Sequence, residues 1–389
     1  MFYGLLDLPW WGYFLYTGLF LHFTNVAITL FLHRGMAHRA LDLHPIISHL
    51  CRFQLWMTTG IVTKEWASIH RKHHAKCETE EDPHSPQIVG LDTVLCYGAE
   101  LYRKEARNPE TIERYGQGMP DDWMERNVYT KRSALGIKLM FLINLVLLGV
   151  PGIAVWCVQM LWSPMAAAGV INGIGHYWGY RNFECPDAAR NIVPIGIILC
   201  GEELHNNHHT FGTSAKFSVK PWEFDMGWMY IRLFETVGLA KPKRVPPEMV
   251  YHAEKPAMDL DTVKTLFANR FALMSHYAQE VIVPVFAQVR SSGQGKVEAL
   301  CARTKALLIR EECLIDAEGS KLLQRALDAY HEIRVVYEFK KRLHSLWDHT
   351  TASQKELLEA VQAWAQEAEA TGIASLRQFA KRLRGYEMA

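Results

Sequence analysis

Residues 10–32 read WWGYFLYTGLFLHFTNVAITLFL, and HRGMAHR follows at once over residues 33–39. The first block holds 23 residues without a formal charge. At ~1.5 Å per residue it is long enough to cross a hydrocarbon core of ~30 Å. No basic start precedes the apolar run, so it reads as a retained membrane helix and not as a cleavable signal. Asp7 is the only charge before it, whereas Arg34 and Arg39 follow it, which places the His33 end in the cytoplasm.

Working outward, residues 45–63 form a second apolar stretch, interrupted by His49, Arg52 and Gln54, that reads as a short span or an interfacial helix. Residues 75–130 are polar, acidic at first (Glu78, Glu80, Glu81, Asp82), and punctuated by Pro83, Pro86, Pro109 and Pro120, which predicts an exposed connection. Residues 133–178 are apolar again, and Pro151-Gly152 divides them into two segments of crossing length. Lys131, Arg132 and Arg181 flank this pair, so both outer ends fall on the basic, cytoplasmic side.

Beyond Lys255 the composition shifts to Ala, Leu, Glu, Lys, Arg and Gln with helical apolar spacing. A proline cluster (Pro242, Pro246, Pro247, Pro256) marks the boundary, and Ser291-Ser292-Gly293 a break within the helical part. The expected organisation is an all-α membrane domain over residues 1–255 and a soluble helical appendage over residues 260–389. A formal net charge of +1 excludes a generally basic nucleic-acid binder. The 12 tryptophans suit membrane interfaces, where a ring sits in lipid and its N–H meets water. The 8 cysteines are scattered without a CxxC pair, as expected of reduced thiols.

Histidine carries the chemistry. Nine of the 18 fall into four groups: His33 with His38; His70, His73 and His74; His176, four residues after Asn172; and His205, His208 and His209. Clustered neutral imidazoles favour iron, zinc, copper or nickel over magnesium or calcium. Within each HxxHH group the rings project from one helix face, because residues three and four apart are neighbours there. His33 and His38 stand ~140° apart on an ideal helix, so sharing one metal requires the helix to bend or end, and otherwise the two bind different metals. Ligands of one cluster must lie on one membrane face. Residues 45–63 are therefore expected not to span, and the hairpin of residues 133–178 returns the later groups to the side of the earlier ones.

Several motifs together resemble the membrane-bound fatty acyl desaturases, in particular their acyl-CoA (stearoyl-CoA type, delta-9) branch. His33-Arg34 with His38-Arg39 resembles the first histidine box. Glu65-Trp66 leading to His70-Arg71-Lys72-His73-His74 and then Asp82-Pro83-His84 resembles the second, and Gly201-Glu202 before His205-Asn206 and His208-His209 the third. Asn172 to His176 with Gly179-Tyr180-Arg181 resembles the segment that completes the metal shell. The resemblance covers about residues 10 to 245. It implies membrane helices with a cytoplasmic helical cap, two Fe2+ ions held by His33, His38, His70, His73, His74, His176, His205, His208 and His209, and Asn172 holding a metal-bound water. It also implies O2 and two external electrons, a long-chain fatty acyl thioester as substrate, a cis double bond as product, and membrane lipid around the protein. The electron donor would be a separate reductase with a ferredoxin-like or cytochrome b5-like carrier, since no haem, iron–sulfur or dinucleotide motif is found in the chain. If the source is bacterial, the implied location is the cell (inner) membrane, with the active site facing the cytoplasm.

Outside the boxes, His84 reads as a residue behind the ligands or against substrate, His22 as a satisfied polar group at a helix contact, and Glu202 and Glu203 as groups that orient histidines or start a helix. His44, His49, His252, His276, His331, His344 and His349 read as structural or solvated. Arg34, Arg39, Arg71, Lys72 and Lys76 could receive an acidic carrier or the phosphates of a CoA thioester, their default reading being topology. Alternatives are a related hydroxylase or ketolase, a phospholipid-linked acyl desaturase, and a metal transporter or structural metal protein.

Overall fold

A computed structural model describes residues 2–255, 257–292, 300–348 and 353–388; Pro256, Gly293 and His349 lie outside them. The chain divides into two compact units, Met1–Arg181 with Asp187–Pro246, and Asn182–Pro186 with Pro247–Ala389. About 67% is helical, and the strands are short two-stranded pairings, in line with an all-α class.

In the first unit the opening apolar block does not stop at Leu32. Helix α1 runs over Trp10–Ala37, its last ten residues (Ile28–Ala37) wound as π-helix. The change of winding coincides with a change of environment. Trp10, Trp11, Phe14, Leu15, Leu19 and Phe23 are exposed, as suits lipid contact, whereas Val26 to Gly35 are buried.

Helix α2 (Pro45–Thr58) begins with proline at its first position, where the missing N–H costs nothing. Its 14 residues reach only ~21 Å, too short to span. Helix α3 (Thr63–Lys76) has Glu65 in its first turn and Lys76 in its last, charges placed to suit the helix dipole. The stretch expected to be an exposed connection is instead largely helical, with α4 (Leu91–Ala106) and α5 (Pro109–Tyr115) packed on α3. Buried Arg52 ties α2 to this region through Asp122 at 2.6 Å and Glu125 at 2.8 Å.

Helix α6 (Ser133–Leu148) and helix α7 (Pro151–His176) form the expected hairpin. Gly149, with φ 67°, ends the first helix, and Pro151 starts the second. Helices α1 and α7 are long and apolar enough to cross a membrane; α6 is apolar but shorter. A polar thread joins the three, Tyr16 Oη donating to Asn144 (2.9 Å) and Asn144 to Gln159 (2.7 Å). Such bonds hold helices together where lipid offers no competing partner.

Helices α8 (His205–Thr210) and α9 (Met226–Thr236) complete the unit, with strand β1 (Leu41–Leu43) antiparallel to β4 (Ala240–Pro242), and β2 (Ile195–Gly196) parallel to β3 (Phe224–Asp225).

The second unit is built of amphipathic helices around a core that includes Leu266, Tyr277, Val281, Leu343, Trp364 and Phe379. Asp259 and Ser353 open helices Leu260–Ala268 and Gln354–Ala370 with capping boxes. Strands Met249–Tyr251 and Tyr386–Met388 pair antiparallel.

Candidate metal centre

The four histidine groups, up to 175 residues apart in sequence, meet in the first unit. Helix α1 presents His33 and His38, helix α3 His70, His73 and His74, the end of α7 His176, and α8 His205, His208 and His209. Sharing one site between His33 and His38 requires the π winding. His38 N donates to His33 O at 3.0 Å, a five-residue hydrogen bond, and the two rings come to 4.9 Å. The alternative of separate metals for these two residues gives way to this geometry, since both rings belong to one group. π turns often mark functional positions, and α7 carries a second one, Pro164–Ile171, just before Asn172.

The ring nitrogens form two clusters. In the first, His33 Nε2 lies 3.0 Å from His208 Nε2, His208 Nε2 2.9 Å from His74 Nε2, and His38 Nε2 2.8 Å from His70 Nε2. These five groups can hold one metal ion. In the second, His176 Nε2 lies 3.2 Å from His73 Nε2 and 2.9 Å from His205 Nε2. His73, His176 and His209, with Cys77 nearby, are again within reach of one ion. The His74 and His209 rings stack at 4.2 Å between the clusters.

Carboxylates stand behind the rings. His33 Nδ1 meets Glu202 at 2.7 Å, His73 Nδ1 meets Asp82 at 2.9 Å, His176 Nδ1 meets Glu78 at 2.9 Å, and His209 Nδ1 meets Asp187 at 3.2 Å. A carboxylate accepts, so each Nδ1 carries the proton and each Nε2 turns a lone pair inward. Glu78 takes this position from a left-handed backbone (φ 61°), an uncommon conformation held by its carboxylate bonds to His176, Ser85 and Ala188 N. Glu203 instead accepts from Leu199 N and Gly201 N, fixing the loop before α8.

Electrostatics follow from burial. His38, His70, His74, His205 and His208 are held well below the ordinary histidine range, first by burial and then by neighbouring imidazoles; burial holds His209 at about 3. These six rings are neutral at pH 7. Burial pushes Asp82 and Asp187 up, but the facing histidines outweigh it and their pKa values are lowered.

The donor set fits two divalent cations. His73 and His176 both commit Nδ1 to carboxylates, so their Nε2 atoms face each other at 3.2 Å, a contact that a metal ion between them, or a proton competing with it, makes favourable. Neighbouring nitrogens bound at right angles to one ion, each ~2.1 Å from it, lie about 3 Å apart. His209 Nε2 is buried with no hydrogen-bond partner among the described residues. The four carboxylates behind the rings supply up to four negative charges, the complement of two 2+ ions.

Beside the rings lies a cavity of about 560 Å³. Its wall includes His33, His70, His205 and Asn172, and also Gly60, Tyr102, Ser133 and Ile137.

A family model described as fatty acid desaturase matches residues 8–224, more than half of the chain. The chain belongs to the fatty acid desaturase family. Membership makes it an oxidoreductase. Similar proteins include a probable chloroplastic lipid desaturase of Arabidopsis thaliana, 30% identical over 236 residues (58% of this chain, 61% of that protein). A delta-9 acyl-lipid desaturase of the same plant is 29% identical over 248 residues (61% and 76%). An sn-2 palmitoyl-lipid 9-desaturase of Nostoc sp. is 30% identical over 261 residues (63% and 87%). Residues 266–389 match a different family model, described as transposase. Among the described residues that segment contributes to none of the metal-capable clusters.

Within this desaturase, residues outside the boxes also find their places. His84 stacks on His73 at 4.4 Å and bounds the cavity. His22 Nε2 pairs with Tyr230 Oη at 2.8 Å, away from the rings. Arg34 is fully buried, bonded to Asp225 and Ala215 O at 2.8 Å each and lying over Phe217, so it is unavailable to a carrier or a phosphate. Gly201 makes room for that pair, since a Cβ there would stand 2.2 Å from Asp225. Sequence reasoning missed Glu78, Asp82 and Asp187 as partners of the rings. The available signal was Asp82-Pro83-His84, an acid fixed beside a proline at the end of a histidine box.

Proposed function

We propose that the chain is an O2-dependent di-iron desaturase that introduces a cis double bond at position 9 of a long acyl chain carried on a membrane lipid. The observation that carries this reading is the convergence of nine histidine rings into groups of five and four beside the cavity. The ligands are His33, His38, His70, His74 and His208 for one iron and His73, His176, His205 and His209 for the other, with Asn172 holding a water from the cavity side. Two bound ferrous ions supply the O2 activation that breaking an unactivated C–H bond demands and side-chain acid–base chemistry lacks. The chain's own residues do the rest. Glu202, Asp82, Glu78 and Asp187 fix ring orientation, and the cavity excludes water and holds one pair of carbons against the site. Electrons come from a separate reductase and small carrier. Helices α1 and α7 anchor the protein in the membrane, with the site at the cytoplasmic surface.

The relatives' names refer to lipid-linked acyl chains, and the charges support the same choice here. Arg103 is the one lysine or arginine among the described residues of the cavity wall, and it stands beside Glu100. Arg71 donates to four backbone carbonyls, Lys72 pairs with Glu105 and Lys76 with Glu81, which leaves little to receive the phosphates of a CoA thioester. The CoA thioester expected from the sequence stays as the alternative substrate.

The test is lipid profiling after expression in a desaturase-deficient host, with His73→Ala as control and iron measured on the purified protein. New 9-unsaturated acyl chains in glycerolipid, lost with His73→Ala, support the reading. An oxygenated chain with no alkene favours a hydroxylase, and full activity without iron ends the di-iron assignment.

A further inference from the structure

Much of the cavity wall is hydrocarbon, including Ile28, Ile69, Ile137, Ala167 and Ile171. Tyr102, on helix α4, also belongs to the wall, and its hydroxyl is buried with no hydrogen-bond partner among the described residues. A buried hydroxyl left unpaired costs free energy until something supplies an acceptor. Glu65, on helix α3, bounds the same cavity and acts on Tyr102 through its charge. Burial first, and then Glu65, push the ionisation of Tyr102 up, so the group is a neutral donor.

We propose that the Tyr102 hydroxyl donates to the carbonyl oxygen of the bound acyl ester and thereby sets how far along the chain oxidation occurs. This rests on the desaturase reading above and adds the group that counts carbons for it. Distance along α3 supports the assignment. Glu65 precedes His70 by five residues and His73 by eight, about 7.5 and 12 Å along the helix axis. An extended acyl chain advances about 1.25 Å per carbon for C–C bonds of ~1.52 Å, so carbons 9 and 10 lie about 10 to 11 Å beyond the carbonyl carbon. For an acyl chain running along α3 from a carbonyl beside Glu65, whose charge acts on Tyr102, that pair falls between the levels of His70, in the five-ring cluster, and His73, in the four-ring cluster. None of the described residues accepts from that hydroxyl, and an ester carbonyl is the strong acceptor at the head of an acyl chain.

The test compares the full-length iron-loaded protein with Tyr102→Phe on two lipids, a stearoyl glycerolipid and its alkyl ether analogue, which lacks only the carbonyl. The readouts are apparent KM and double-bond position. Wild type is expected to make one positional isomer from the ester. On the ether its apparent KM rises about tenfold, the worth of one hydrogen bond, and neighbouring isomers appear. Tyr102→Phe is expected to treat the ester as wild type treats the ether, with unchanged iron content and no further loss on the ether. Independent, multiplying effects of the two changes overturn the proposal, as does Tyr102→Phe keeping one isomer and the wild-type KM on the ester. If the variant does not accumulate, wild type alone decides, since equal KM and identical isomers on both lipids overturn it. Wild type forming no alkene from either lipid refutes the proposed function itself, and the inference with it.

Discussion

Replacing Asp82 with asparagine probes whether the carboxylates behind the rings hold the metals. Asp82 approaches His73 Nδ1 with both oxygens (2.9 and 3.1 Å) and also accepts from Glu78 N (3.0 Å) and His84 N (3.1 Å). Asparagine keeps the size, but one of its two ends becomes a donor facing donors, so either the ring or a backbone N–H loses its acceptor. Removing the partner of a metal-bound histidine typically costs 10–100-fold in metal affinity, or about 1.4–2.7 kcal/mol. Asp82→Asn belongs at the upper end because charge and hydrogen bond go together; Asp187→Asn, acting on His209 from 3.2 Å, belongs at the lower. The assay is iron retained by the purified protein across a graded chelator series. A pH series adds a second check. Burial lowers the pKa of His73, but the charge and hydrogen bond of Asp82, with Glu78 and Asp187, outweigh it and leave the pKa raised. A proton on that ring competes with metal, so wild-type affinity declines as pH falls through the raised value, and in Asp82→Asn the decline moves to lower pH. An unchanged chelator midpoint, in a protein that His73→Ala strips of iron, would refute the reasoning.

Metal-free protein is expected to lose stability on acidification. Six ring pKa values lie below the unfolded value of ~6.5, so the unfolded chain takes up protons that the native one refuses. Stability present above pH ~6.5 then falls as pH drops toward about 3, and a thermal midpoint in detergent that rises between pH 7.5 and 5.5 would contradict this. Arg34→Leu strands buried Asp225 and is expected to cost about 3–5 kcal/mol, read as a large drop in thermal midpoint even with metal bound; a change of a degree or two would show that the pair contributes little. Lys340→Met removes a buried ammonium that donates to the carbonyls of Leu308, Ile309 and Arg310 at the end of helix Ala302–Ile309, and about 1–3 kcal/mol of local stability is expected to go with it. Amide hydrogen exchange over that helix should quicken at least fivefold, and unaltered exchange would rule the capping role out.

Much of the candidate site was legible because the spacing of its histidines is a local property. Three and four residues apart on α3 and α8 suffice to aim His70, His73 and His74, or His205, His208 and His209, in one direction. The pair His33 and His38 was not fully legible, because its convergence depends on a π turn, in the buried end of α1, that no residue type announces. Glu78 and Asp82 were read as solvent-facing because acidic residues usually are; only the fold brings imidazoles to them. Arg34 looked like a topology charge, and its partner, Asp225, lies 191 residues away. The two crossing-length helices were visible from hydropathy alone, whereas the helical character of residues 91–115 was hidden by Pro109 and mixed polarity.

The wide turn in α1 also limits how this gene can vary. Losing a single codon between His33 and His38 would turn the residues beyond it by ~100° relative to those before it, parting the second imidazole of that box from the first while leaving every histidine in the sequence. Frame-preserving insertions or deletions are therefore expected to be tolerated in the irregular segment around residues 116–121 and purged from this one, so that length, as much as residue identity, is under selection there.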